Sequence, residues 1–311
     1  MMRVRTHGPC WRSVVVIGAS VGIAALLTTC ASVSAATTNS TTSAVPPAWA
    51  KIRALLPASY RKSGVVTVAT DASYPPYELY AANNKTIIGV DPDLGSALGT
   101  VLGLRFEFTQ VSYDTIPTEL ADHRYDIGMS GIGDFKWREK VVTFVDYATF
   151  GEGFLAPVKS TFDATDLTQV CGDAISAQSG TSESIQLGEQ SKLCTKSGKK
   201  PITSLTFPSE NTAVLAVRSG RAQALFADLA TVEWVAKESN GLYKVLNVHD
   251  NSIAGITGPY GIAFAKGSAL IKPVELALKA LIADGTYQKI FAKWGVTDDE
   301  LRNVTINGAT S

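Results

Sequence analysis

One rhythm of apolar and polar positions runs through most of this chain. Val65 to Ala69 is a compact apolar, β-branched run and predicts a strand, with a short helix from Trp49 to Tyr60 before it. Ile88-Gly89-Val90 ends a second strand and opens a helix to about Leu102, with Asp91 as N-cap and Pro92 at the first helical position. Arg105 to Thr109 then reads as a strand and Tyr113 to Asp122 as a helix. Asp126 to Ser130 reads as a further strand, ending in Gly131-Ile132-Gly133.

The same order returns later in the chain. Ala174 to Gln178 is a strand ending at Gly180, Thr212 to Ser219 a helix, and Ala222 to Phe226 a strand that reaches Asp228. Gly258 to Phe264 predicts another strand, followed by an amphipathic helix from about Leu270 to Asp284 and a shorter one from Tyr287 to Lys293. Such alternation is the mark of largely parallel α/β sheets, here in two successive units. The chain has 311 residues, 45% apolar and 18% charged. That is material for two domains of roughly 100–200 residues each.

The beginning of the chain breaks the rhythm. Arg3, Arg5 and Arg12 precede an uncharged apolar run from Val14 to Leu27, and no acidic residue appears before Asp71. This predicts a secretory signal, since the run is shorter than the roughly 20 residues of a membrane-spanning helix. Two cleavage sites compete. Leu27-Thr28-Thr29-Cys30 resembles a lipobox, which would make Cys30 a lipidated N-terminus, whereas Val33-Ser34-Ala35 suits ordinary signal peptidase. The Ser/Thr-rich stretch from Ser34 to Ser43 would serve as a tether in the first case. Removal of residues 1–35 takes three of the 28 basic residues and leaves 25 against 28 acidic ones, a net charge of −3. Nothing in this balance attracts nucleic acid.

Cys10 and Cys30 lie in the signal region, so Cys171 and Cys194 are the remaining pair. In an exported chain they read as a disulfide, worth roughly 3 kcal/mol for a loop of this length, with two independent buried thiols as the alternative. His7, His123 and His249 are scattered, and no metal site is expected.

A series of short segments stands in a telling order: Thr70-Asp71-Ala72-Ser73-Tyr74-Pro75-Pro76-Tyr77-Glu78, Gly89-Val90-Asp91-Pro92-Asp93-Leu94, and Tyr125-Asp126-Ile127-Gly128-Met129-Ser130-Gly131 with Arg138 and Phe144-Val145-Asp146-Tyr147. Gly180-Thr181-Ser182, Ser219-Gly220-Arg221 with Asp228, and Asp284-Gly285-Thr286-Tyr287 with Trp294-Gly295 complete it. Over roughly residues 64–296 the chain resembles the polar amino-acid-binding proteins of ABC importers, a branch of the periplasmic solute-binding proteins. The resemblance implies a two-lobed, periplasmic-binding-protein-like α/β fold of type II, its lobes joined by two crossover strands near Gly151–Ala156 and Gly258–Phe264. Residues 1–35 would be the signal, 36–63 a linker and short helix, 64–151 the first part of lobe one, 152–257 lobe two, and 258–311 the return to lobe one.

A free amino acid carries a carboxylate, an ammonium and one variable side chain. The resemblance gives Arg138 the carboxylate, which its planar fork suits; on sequence alone an Arg-Glu-Lys run is a solvated helix face. Thr181 and Ser182 would grip the same carboxylate at a helix N-terminus, or simply cap that helix. Asp228, at the carboxyl end of a strand, would accept the ammonium with help from the backbone at Gly131, or cap the next helix. Tyr74 and Tyr77 would supply flat faces and Asp71 a polar or cationic contact, unless the tyrosines only pack their loop. Relatives commonly carry Ser or Thr where this chain has Gly133, so a hydroxyl is missing but the N–H remains.

The implied function is capture of a free polar amino acid by a monomer. Its expected partners are an ABC permease and its ATPase, and the membrane through a lipid anchor, with no cofactor and no nucleic acid. Two alternatives stay open: a cyclohexadienyl-dehydratase-like enzyme on the same fold, for which Asp71 and Glu78 are the nearest acid/base candidates, and a sensor or surface binding protein without a transporter.

Overall fold

A computed structural model of the chain describes residues 45–248 and 257–310. The signal region, Cys30 and His249 lie outside the described residues.

Pro57 has no N–H to donate and restricts Leu56, so the predicted first helix is two: α1 (Pro47–Ala54) and α2 (Ala58–Ser63). Strand β1 (Val65–Thr70) follows, then a small antiparallel sheet of β2 (Ser73–Tyr74), β3 (Glu78–Tyr80) and β4 (Ile87–Ile88). Ile88 therefore ends a strand, but one outside the main sheet. Helix α3 (Val90–Leu102) has Gly89 as its N-cap, and Asp91 is buried in its first turn instead of capping it. Strand β5 (Arg105–Gln110), a 3-10 turn at Tyr113–Thr115, helix α4 (Ile116–Ala121), strand β6 (Ile127–Gly128) and the long β7 (Val142–Phe150) complete the first run.

The second run consists of β8 (Glu152–Pro157), β9 (Ala174–Gln178), α5 (Ser182–Lys196), β10 (Thr203–Phe207), α6 (Glu210–Arg218), β11 (Ala224–Asp228), α7 (Leu229–Glu238) and β12 (Tyr243–Asn247). The chain then forms β13 (Gly258–Ala265), α8 (Ile271–Ala283) and α9 (Thr286–Trp294).

Two five-stranded sheets result, ordered β5-β1-β6-β13-β7 and β10-β9-β11-β8-β12. In each, three successive strands run parallel, and an antiparallel strand is inserted fourth: β13 in the first sheet and β8 in the second. The sheets are thus mixed, not purely parallel. The inserted strands are the ones on which the chain enters one sheet after leaving the other, so the two crossovers give each lobe the same strand order.

Each sheet is buried on both faces. Val66, Val68, Leu94, Leu98, Phe264, Leu278 and Phe291 form the main core of lobe one, with Ile116, Leu120, Ile132 and Phe144 on the other face. Phe154, Leu167, Ile175, Leu187 and Phe226 fill one side of lobe two, and Leu155, Ala213, Val217, Leu225 and Val232 the other. Cys171 and Cys194 form a disulfide that ties the turn before β9 to the last helical turns of α5. No helix among the described residues is long and apolar enough to cross a membrane.

Candidate binding site

Parallel strands deliver their carboxyl ends to one edge of a sheet, and in both lobes these ends face a shared cleft. From lobe one come Asp71 and Tyr74 after β1, and Ser130 to Gly133 after β6. From lobe two come Gln178 at the end of β9, Gly180 just after it, and Asp228 at the end of β11. The lobes touch here. The Tyr74 hydroxyl donates to Asp228 Oδ2 at 2.6 Å, Gln178 Nε2 donates to Asp71 Oδ2 at 2.7 Å, and the Glu210 N–H donates to Ser73 Oγ at 3.2 Å. Gly180, at φ +81°, lies so close to Asp114 that a Cβ would fall 2.6 Å from the Asp114 Cβ; only glycine allows this approach.

Arg138 is buried in the turn between β6 and β7 and reaches across the cleft. Its Nη1 donates to the Gly133 carbonyl and its Nη2 to the Gly180 carbonyl, both at 2.9 Å. The guanidinium lies 4.6 Å from the Trp137 ring centre, with Phe135 and Tyr113 at 5.5 and 5.6 Å. Such stacking holds a planar cation in place. The Arg-Glu-Lys run is therefore not a solvated helix face at Arg138. Beside it a cavity of about 190 Å³ is lined by Tyr113, Ile132, Trp137, Arg138, Gly180 and Ile185.

Asp228 occupies the N-cap position of α7, yet its carboxylate makes no capping bond. Instead Oδ2 accepts from the hydroxyls of Tyr74 and Tyr260, while the Asp228 N–H donates to the Tyr74 oxygen at 3.2 Å. Burial, and next the charge of Glu183, push its carboxyl well above the usual range. Thr181 does cap α5, accepting from the Ser184 N–H at 3.3 Å, and its own hydroxyl donates to the Gln178 carbonyl. Ser182 donates to Glu183 Oε2 at 3.1 Å. Asp71 is buried, accepting from Gln110 as well as Gln178. Gly131, at φ +50°, donates its N–H to Asp91 and leaves no room beyond ordinary contact with the Tyr74 and Tyr260 rings.

Tyr77 is not brought to the cleft. It is fully buried in the core of lobe one, its ring against Tyr147 and Tyr260 and its hydroxyl on Asp299 at 2.7 Å. At Gly133 a Cβ would stand 2.6 Å from the Phe135 ring, which accounts for the missing hydroxyl: an aromatic that cradles Arg138 fills its place.

Sequence reasoning passed over several cleft residues. Tyr260 lies on β13, and Glu183 and Glu210 sit in the first turns of α5 and α6, where acids are ordinary. Glu152 carried a usable signal: it is a charge inside the apolar run Gly151-Glu152-Gly153-Phe154-Leu155-Ala156.

This architecture is that of a two-lobed solute-binding protein. The chain belongs to the bacterial extracellular solute-binding proteins, family 3, whose pattern matches residues 66–297. It is 32% identical over 264 residues to the arginine-binding protein ArgT of Corynebacterium glutamicum, covering 85% of this chain and 84% of that one. Among solved structures, an ancestral arginine-binding protein bound to arginine superposes with a TM-score of 0.65 at 28% identity, over 74% of this chain and 98% of its own. The ancestral amino acid-binding protein AncCDT-1, a precursor of cyclohexadienyl dehydratase, matches with a TM-score of 0.65 at 28% identity, over 76% and 97%.

Proposed function

We propose that the protein is the exported substrate-binding component of an ABC importer, that it captures one free polar amino acid between its lobes, and that it delivers this ligand to a permease driven by an ATPase. It works as a monomer, tethered through Cys30 if the lipobox is used. Arg138 is the carboxylate partner, with the α5 N-terminus at Thr181 and Ser182 beside it, and Asp228 accepts the ammonium. Tyr74 and Asp71 form the wall toward the side chain.

The observation that carries this is a buried guanidinium and a buried, non-capping carboxylate held on facing sides of one cleft. A zwitterion answers both charges at once. The arginine-binding names of the relatives support an amino acid as ligand. The enzymatic alternative has the kinship with AncCDT-1 in its favour. However, Glu78 is buried inside lobe one with one oxygen on Ser130, and Asp71 is tied to two glutamines. Glu78 is thus set back from a cleft substrate, and the Asp71 carboxylate is already engaged by two amide donors.

Calorimetric titration with the common L-amino acids checks the proposal, and one-to-one binding of at least one is expected. Arg138→Ala and Asp228→Ala should each weaken that binding by about 3–5 kcal/mol, more than a hundredfold, with unchanged circular dichroism. Absence of binding to any amino acid, with turnover of prephenate or arogenate, would replace transport by catalysis.

A further inference from the structure

Lobe two presents more carboxyl groups to the cleft than a single ammonium can answer. Glu152 and Asp228 are directly paired across β8 and β11, so their side chains leave the sheet on the same side. Glu183, one residue into α5, turns inward to meet them, and one carboxylate oxygen from each of Glu152, Glu183 and Asp228 lies within 4.8 Å of the other two. Glu210, the first residue of α6, is buried nearby; after burial itself, the charges acting on it are those of Glu183 and Asp71.

A first-turn glutamate normally points to water and adds a little to helix stability. Here Glu152, Glu183 and Glu210 are each at most 1% exposed. Four oxygens, Glu152 Oε2, Glu183 Oε1, Glu210 Oε1 and Asp228 Oδ1, are buried and accept no hydrogen bond from the described residues. None of these acids takes part in an ion pair found among those residues, and the fork of Arg138 is bonded to two carbonyls. Buried acids arranged this way keep their protons until a cation arrives to offset the crowding of the ionised forms.

We propose that the cleft selects an amino acid whose side chain carries a second positive charge, and that Glu183, flanked by Glu152 and Glu210, is the residue that reads it. This rests on the protein being an amino-acid-binding component. Asp228 meets the α-ammonium, while Glu183, central to the acidic set, meets the side-chain cation. A guanidinium, with five donors in one plane, can satisfy several carboxylate oxygens together.

The test compares L-arginine with L-citrulline, which keeps the shape and removes the charge, by calorimetry on the wild type and on Glu183→Gln. Wild type should favour L-arginine by at least about a hundredfold, and Glu183→Gln should reduce arginine affinity at least about tenfold without weakening citrulline. Should Glu183→Gln not fold, Glu152→Gln serves in its place, and the wild-type comparison needs no variant. Equal affinity for both ligands, or arginine affinity untouched in the variant, overturns the inference while amino-acid binding stands. Binding of no amino acid overturns both. Stoichiometric uptake of calcium ions by the protein alone also overturns it, because the three carboxylates would then be a metal site.

Discussion

At the end of β11, one backbone position could serve either to cap α7 or to face the cleft, and hydrogen bonding decides between the two. Asp228 makes no capping bond and takes two tyrosine hydroxyls instead, whereas Thr181, in the equivalent place before α5, does cap. Arg138, Thr181 and Asp228 were legible only through the family resemblance, since an Arg-Glu-Lys run and two N-cap positions have ordinary readings on sequence alone. Glu183 and Glu210 were not legible even so, because an acid in a first helical turn looks the same whether it faces water or a cleft. Gly133 shows how a local departure becomes intelligible only through its neighbours. Gly133→Ser would force the Phe135 ring off Arg138 and should destabilise the fold by about 1–3 kcal/mol in a denaturant titration. Adding Phe135→Ala makes room, so the double variant should lose less than the sum of the singles; strict additivity would show that the ring is not the obstacle.

Among the elements, the long strands and amphipathic helices followed directly from periodicity, as β1, β9 and α8 illustrate. The errors lie where one residue redirects the chain. Pro57 divides the first helix, Gly89 takes the N-cap expected of Asp91, and the strand at Asp126–Ser130 shrinks to Ile127–Gly128. Strand direction was also hidden, because alternation of strands and helices is the same whether the fourth strand of a sheet runs with or against its neighbours. The disulfide acts at this scale. It closes a loop of 23 residues' separation around β9 and much of α5, so its main effect is to restrict the unfolded chain. Cys171→Ser with Cys194→Ser should lower unfolding free energy by roughly 3 kcal/mol, measured in urea without reductant. A loss below about 0.5 kcal/mol would mean that the unfolded loop is already compact without the bond.

For the whole molecule, buried acid is the dominant electrostatic fact. Burial raises Asp91 and Asp299 to about 6, and burial together with Asp146 raises Asp134 to about 7. In the cleft, burial and then Glu183 push Asp228, Glu152 and Glu210 in the same direction. Unfolded carboxyls titrate near 4, so between roughly pH 4 and pH 7 the folded chain binds more protons than the unfolded one. Folding stability therefore falls as pH rises through that window. Glu275 works oppositely, since hydrogen bonds from Lys272 and Lys279 outweigh its burial and lower it, but that contribution is lost only below the ordinary glutamate range. A bound cation reverses the balance in the cleft, because it favours the ionised carboxylates and must displace their protons. Thermal melts at constant ionic strength should thus show a midpoint that declines from pH 5 to pH 8 for the protein alone, and an upward shift by L-arginine that grows over the same range. Calorimetry at pH 6 in buffers of different ionisation enthalpy should register proton release on arginine binding. A midpoint that climbs steadily to pH 8, or proton uptake on binding, would mean that the buried acids are already ionised and that their charge is offset by the protein itself.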